Sequence, residues 1–357
     1  MSYGPQHITK QIFSDLEEIN QNSTADLKGI VNKPLVITGA SGFVGTWLTL
    51  SWASAFMKFG GTGKLLVTSR NPTTVAKMAK SMNSSLPIFA LQSDIRQLHI
   101  PSDFRDGLII HAATPASASM NAADPMAMLN VIMEGQGRVL FEAERTSNRV
   151  LFLSSGAVYG KQPLLQKQLP EIWDGGPSLS DIDSAYHEGK RVAELMANIA
   201  TNRNGISVTT ARLFAFLSPF LPFGTHFAAG NFMKDALEKS EIEIKSGGGS
   251  IRSYQYASDL CSSLWALLAR GDSGTAYNVG SDDEITILQL AHLVKTTVNV
   301  SASVVVRGVD TSENVTRYVP SIQRITSELG VRNRVGIKEA ISRTASWSDQ
   351  VKEKTAQ

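Results

Sequence analysis

Val36-Ile-Thr-Gly-Ala-Ser-Gly-Phe-Val-Gly45 is an apolar run that ends in glycines at positions 39, 42 and 45. It reads as a buried parallel strand turning tightly into a helix, where a dinucleotide pyrophosphate can be seated. Gly39 permits the turn, Gly42 removes a Cβ that would hold phosphate off the backbone, and Gly45 lets the helix approach the sheet. Ser41, Phe43 and Val44 complete the loop, and Phe43, Val44, Trp47 and Leu48 supply the helix's apolar positions. The spacing is one residue longer than the commonest fingerprint, and read alone it also fits a glycine turn that binds nothing.

Downstream, Ser184-Ala-Tyr-His-Glu-Gly-Lys190 sets Tyr186 and Lys190 four residues apart, on one face of a helix. A free phenol titrates near pH ~10, too high for a good base at neutral pH. A lysine ammonium, together with an oxidised nicotinamide, would favour the phenolate, so the amine is expected to lower Tyr186. The same lysine could hold the nicotinamide ribose. Arg149-Val-Leu-Phe-Leu-Ser-Ser-Gly-Ala-Val-Tyr-Gly160 reads as another buried strand, with Ser155 emerging at its carboxyl end. That serine could bond a substrate hydroxyl or ketone; alone, it also reads as a loop cap.

In this order and spacing the three segments resemble the extended short-chain dehydrogenase/reductase family of nucleotide-sugar epimerases, dehydratases and reductases. The resemblance runs from about residue 34 to 347. It also rests on Ser-Asp-Ile-Arg at 93–96, His-Ala-Ala at 111–113, Asn-Val at 130–131 and Arg-Ser-Tyr-Gln-Tyr-Ala-Ser-Asp-Leu at 252–260. Tyr-Asn-Val-Gly-Ser at 277–281 and Arg-Tyr-Val-Pro-Ser at 317–321 extend it.

The chain has 357 residues and 42% hydrophobic content, enough for one large or two moderate domains. A net charge of +2 with interspersed signs gives no nucleic-acid or polybasic membrane footprint. The lone Cys261 rules out an internal disulfide framework and a cysteine-built zinc site, and it fits a reducing cytoplasm. No apolar run reaches a membrane span, and the first thirty residues are too polar and acidic for a secretory signal. A soluble, cytoplasmic protein without a metal is expected.

Strand candidates at 34–38, 64–69, 87–90, 107–111, 149–154 and 207–213 alternate with helical patterns at 43–57, 72–81, 125–145 and 184–202. That alternation argues for an α/β fold with a doubly wound parallel sheet. Residues 1–33 precede it, with Ile8, Ile12, Leu16 and Ile19 at helical spacing and Phe13 widening the stripe. This helix reads as packed on the domain, or as a subunit contact. Beyond Arg212 the rhythm breaks at Pro219, Pro222, Gly224–Gly230 and Ser246-Gly-Gly-Gly-Ser250. The expected division is a dinucleotide-binding domain over 34–213, with 253–280 returning to it. A smaller substrate lobe would take 214–252 and 281–347.

An acid at the end of the second strand suits NAD and a basic residue suits NADP. Val67-Thr-Ser-Arg-Asn-Pro72 has no acid there and carries Arg70, whose guanidinium fits a 2′-phosphate, so NADP is favoured. An arginine there also stacks on adenine, which leaves NAD open. The resemblance further implies Asp94 and Ile95 at the adenine, and Ala112 and Ala113 beneath the cofactor. It implies Tyr186 and Ser155 as the groups that handle the hydroxyl proton during hydride transfer at a sugar carbon.

Dehydratases of the family carry an Asp-Glu pair after the serine/threonine position, and the decarboxylating branch has a Glu in that region. Here those positions are Gly156 and Ala157, which transfer no protons. A C4 epimerase or a 4-ketoreductase is therefore expected, with room over the small pair for a turning sugar. A dehydratase, a decarboxylase and a non-catalytic dinucleotide sensor are the alternatives. His187 and Glu188 are expected to point away from the site. Arg252 matches the family's diphosphate contact, with Asn231 nearby. Ala215 replaces the asparagine common after the Arg212 strand, and the His226–Asn231 segment is a candidate substitute lining. The resemblance also implies a homodimer formed through the helices that include the Tyr-Lys segment.

Overall fold

The computed structural model of the chain describes residues 3–114, 118–223, 227–311 and 314–356. A parallel sheet of seven strands forms its centre: β1 Leu35–Thr38, β2 Leu65–Ser69, β3 Ile88–Gln92, β4 Leu108–His111, β5 Arg149–Ser155, β6 Val208–Leu213 and β9 Ala276–Val279. Their order is β3-β2-β1-β4-β5-β6-β9. The winding reverses between β1 and β4, which opens a crevice at the strands' carboxyl ends. Each sequence-expected strand and helix of this region is present, displaced by a few residues at its ends.

Why the strands read as continuous apolar runs is visible in the packing. Leu35 and Ile37 of β1 face one core, shared with Leu48, Trp52 and Leu264, while Val36 faces the other with Ile132, Val139 and Ala197. A parallel sheet covered on both faces needs apolar residues at successive positions. The first face carries α1 Lys10–Asn22, α2 Thr24–Ile30, α3 Phe43–Phe59, α4 Thr73–Lys80 and α9 Ala257–Arg270. The short α5 Ala118–Ala123 leads into α6 Pro125–Thr146, which packs with α7 Ala185–Asn204 over the second face.

The chain then leaves the sheet. α8 Ala228–Glu238 and α10 Ile287–Val298 enclose a third core with Leu217, Phe232, Ile242 and Leu290. Two small sheets flank it: β7 Glu241–Ile244 pairs with β11 Ser303–Val306, and β8 Ile251–Ser253 lies between β10 Glu284–Thr286 and β12 Arg317–Tyr318. α11 Gln323–Leu329 and α12 Ile337–Ala356 follow.

The amino-terminal stripe packs as expected at Ile8, Ile12, Leu16 and Ile19, but Phe13 does not join it and stays 51% exposed. One residue past Ile12, Phe13 lies a hundred-degree step around the helix, beyond the seam. Asp15 takes the buried place instead, accepting from the Tyr256 hydroxyl at 2.7 Å and from Arg343 of α12 at 3.0 Å. Among the described residues no helix is long and apolar enough to cross a membrane, and no three His, Cys, Asp or Glu side chains cluster as metal ligands. Cys261 is buried.

Candidate active site

The crevice contains a cavity of about 1370 Å³ whose first wall is the β1–α3 turn. Gly39 has φ +66, and a Cβ there would lie 2.4 Å from the Ala112 carbonyl oxygen. A Cβ on Gly45 would meet the Gly39 carbonyl oxygen at 2.4 Å, so the helix can leave the turn at this angle only without a side chain. At Gly42 an added Cβ would touch only the Gly39 oxygen, at 3.2 Å, and the rest of its surroundings are open. Gly42 caps α3 without a side-chain bond, and Phe43, Val44 and Gly45 of the first turn line the cavity. Free helix N–H groups beside a Cβ-less turn fit a pyrophosphate.

Beneath this wall the Thr38 hydroxyl accepts from the N–H groups of Ala112 and Ala113 at 3.2 and 3.3 Å and lies 2.9 Å from His111 Nδ1. With both lone pairs used, its proton goes to Nδ1, which leaves His111 protonated on Nε2. Burial, with the nearby Lys190 charge, pulls the His111 pKa down to about 3. The imidazole therefore stays neutral, stacked on Phe152.

Arg70 and Asp94 border a second cavity of about 570 Å³, with Gln97 and His99. Ser41 donates to the Ser69 hydroxyl at 3.0 Å, joining the first turn to the end of β2. Asp94 is gripped by the Arg96 guanidinium at 2.9 and 2.8 Å, which holds its carboxyl down at about 2. The Ile95 side chain turns to Gly135 of α6, where a Cβ would meet it at 3.0 Å.

Ser155, Tyr186 and Lys190 line the main cavity together. Asn121 fixes the start of α7, accepting from the Tyr186 N–H at 3.0 Å and donating to the Asp183 carbonyl at 2.7 Å. Lys190 Nζ donates to the Leu153 carbonyl at 2.7 Å and to Thr114 Oγ1 at 2.9 Å, above the Phe152 ring. Burial lowers this amine to about 7, against the pull of Glu194.

Tyr186 departs from expectation. Within the chain itself burial raises the phenol, and a hydrogen bond with Ser155 is what opposes the rise. The amine commits two of its three N–H groups to Leu153 and Thr114 and is itself poorly solvated, so it is a weak source of acidity for the phenol. His187, expected to face away, lines the cavity. Behind these groups Glu194 receives Arg212 at 2.7 Å and the Ser154 hydroxyl. Arg212 also meets the Tyr159 hydroxyl, which donates to Asn278 at 2.7 Å. The Val-Tyr-Gly and Tyr-Asn-Val motifs therefore serve one buried network.

The far wall comes from the smaller cores. Asn231 on α8 and Arg252 on β8 both line the cavity, and Arg252 is held by the Thr316 hydroxyl at 2.8 Å and the Thr316 carbonyl at 3.0 Å. Ala215 lines it too; of the candidate substitute segment, His226 lies outside the described residues. The space over Gly156 is not left for a sugar. A Cβ there would lie 2.6 Å from both Tyr318 Oη and Phe214 Cζ, so Gly156 makes room for these rings, whereas Ala157 faces the cavity.

Sequence reading missed Tyr318, Thr316, Asn121 and Thr114. Tyr318 alone carried a signal, inside the 317–321 segment.

Residues 35–280 match the model of the NAD dependent epimerase/dehydratase family. UDP-glucuronic acid decarboxylase 1 of Arabidopsis thaliana is 28% identical over 313 residues, 87% of this chain and 69% of that one. The structure of a UDP-N-acetylglucosamine 4-epimerase from Methanobrevibacter ruminantium superposes with a TM-score of 0.76 at 18% identity, covering 89% of this chain and 98% of that one. A dTDP-glucose 4,6-dehydratase from Streptomyces venezuelae gives 0.74 at 21% identity, over 88% and 97%. With its sheet order, its glycine turn and a family match over most of its length, this chain belongs to the NAD-dependent epimerase/dehydratase family.

Proposed function

We propose that the protein acts on a nucleotide sugar by hydride transfer at C4, as a 4-ketoreductase or a C4 epimerase, with NADP as its preferred cofactor. The observation that carries this reading is a tyrosine, a serine and a lysine lining one cavity, with Gly156 and Ala157 where an eliminating enzyme needs acids. Asp235 and Glu243 also line the cavity, but they belong to α8 and β7, and Asp235 pairs with Lys239 at 2.8 Å.

Gly39, Ser41, Gly42, Phe43, Val44 and Gly45 hold the pyrophosphate side of the cofactor, and Ala112 and Ala113 lie under it. Asp94 and Ile95 flank the adenine, and Arg70 reads the 2′-phosphate. Lys190 holds the nicotinamide ribose. When bound, the nicotinamide accepts or donates a hydride at the sugar carbon. Tyr186 takes the proton from the C4 hydroxyl, or returns it to the ketone oxygen, and Ser155 bonds the same oxygen. Arg252 and Asn231 hold the nucleotide diphosphate. The substrate lobe is 214–252 with 281–347, and two copies pair through α6 and α7, where Phe141, Leu195 and Ile199 are more than half exposed. The protein works in the cytoplasm.

A decarboxylase reading is favoured by the names of the relatives, UDP-glucuronic acid decarboxylases of Arabidopsis thaliana, Xenopus tropicalis and Danio rerio. A 4-ketone next to a C5 carboxylate is an electron sink for loss of carbon dioxide, so that step does not itself require an acid at 156 or 157. Incubation with a panel of nucleotide sugars, with and without NADPH, tests both readings. A C4 epimer without added reductant, or NADPH-dependent reduction of a 4-keto sugar, supports the proposal. Carbon dioxide released from a nucleotide-linked uronic acid replaces it with the decarboxylase reading, and a 4-keto-6-deoxy product overturns the argument from Gly156 and Ala157.

A further inference from the structure

The hydroxyl of Ser155 has one proton and two lone pairs. One lone pair is filled by the Ala157 N–H at 3.1 Å. Two phenols, Tyr186 from α7 and Tyr318 from β12, line the same cavity as this hydroxyl. The Tyr318 hydroxyl lies over the next residue because Gly156 has no side chain: a Cβ there would sit 2.6 Å from Tyr318 Oη. Its ring packs on Phe214 at 4.5 Å, and it pairs in register with Arg252 of β8. In the structure Tyr318 Oη donates to the Leu213 carbonyl at 3.4 Å, the outer edge of a hydrogen bond, so its proton is only weakly committed there.

When Tyr186 is ionised it can only accept, so Ser155 must donate to it. One serine lone pair then remains, and Tyr318 is the neighbouring donor. We propose that Tyr318 is a positioning residue of this site: its hydroxyl donates to Ser155 and so turns the serine proton toward Tyr186. The inference rests on Tyr186 being the acid/base group. Its consequence is that a strand of the Arg252 sheet helps set the acidity of a phenol on the central sheet's flank, where a simple serine–tyrosine pair would leave the serine free to rotate.

The charged and titratable groups around the pair are Arg252 on β8 and Tyr159 after β5, which act on Tyr318, with Lys190 and His187 on α7 beside Tyr186. Tyr318→Phe keeps the ring and leaves all of them in place. Its test is a pH titration of the ring Cζ resonances in tyrosine-labelled protein saturated with NADP⁺, with Tyr186 assigned by its loss in Tyr186→Phe. Removing the Tyr318 hydroxyl should move the Tyr186 step upward by about 0.5–1 pH unit, the size of one hydrogen bond. The Tyr186 limb of the kcat profile should move the same way, with KM little changed. Gly156→Ala, which displaces the Tyr318 hydroxyl, gives a second variant expected to shift the step in the same direction.

An unmoved step in folded Tyr318→Phe would mean that Tyr318 spends its proton on Leu213, and the inference would be wrong. A KM increase with an unmoved limb would overturn it equally, leaving Tyr318 as packing beside Arg252. Full turnover in Tyr186→Phe would instead sink the acid/base reading, an outcome the resonance titration distinguishes because it needs no turnover.

Discussion

The glycine-lined half of the cavity is made of main chain from the ends of β1 and β4, whereas the opposite half is made of side chains from α8, β8 and β12. In the first, the critical contacts are backbone atoms that come within 2.4 Å of where a Cβ would be. In the second, Arg252 depends on Thr316, 64 residues away in the chain. A site built from main chain tolerates almost no change of residue, because the backbone cannot retreat. A wall of side chains can be altered one group at a time, and it is the half in which family members can diverge.

That contrast is open to attack. Gly39→Ala forces a side chain into a left-handed residue against the Ala112 carbonyl. The expected cost is about 3 kcal/mol of stability together with nucleotide binding, checked by denaturant melts and calorimetric titration with NADP. A variant as stable as the parent would show that the main-chain half is softer than its geometry implies.

Acid should strike the same half next. The folded pKa of His111 is depressed from 6.5 to about 3. Between those values the unfolded chain holds a proton that the folded chain refuses, so this contribution to stability is full above about pH 6.5 and falls as pH drops. The loss is about 1.4 kcal/mol per pH unit, and His111→Asn should flatten that part of the stability–pH curve. Parallel curves for the two proteins would mean that His111 is not neutral in the fold.

Arg70→Ala should weaken NADP by about 10–100-fold and NAD by far less, in line with loss of a charge-assisted phosphate contact. Equal losses would remove the case for NADP. The smallest effect is expected on the side-chain wall: Thr316→Val should raise substrate KM by about 3–10-fold, the worth of one hydrogen bond to Arg252, with NADP affinity unchanged. A matching fall in NADP affinity would show that the two halves are not separable.

The same contrast explains what could be read without coordinates. The β1–α3 turn was legible because every contact it needs lies within ten residues or follows from glycine's missing Cβ. Tyr186, Lys190 and Ser155 were legible as a group, each at the end of a recognisable strand or helix. The direction of the Tyr186 shift was not, because it is set by how deeply the assembled fold buries the phenol. Gly156 looked like space for substrate until β12 brought Tyr318 over it. Phe13 looked apolar and periodic, and only the seam between α1, α9 and α12 shows that Asp15 takes the buried place.

The proposed chemistry depends on Tyr186 moving the proton at the sugar oxygen. Turnover of wild-type and Tyr186→Phe protein on the active nucleotide sugar, at matched occupancy of nucleotide, tests it most directly. A fall of about 10²–10⁴-fold with NADP binding intact is expected. Undiminished turnover in the phenylalanine variant would contradict it.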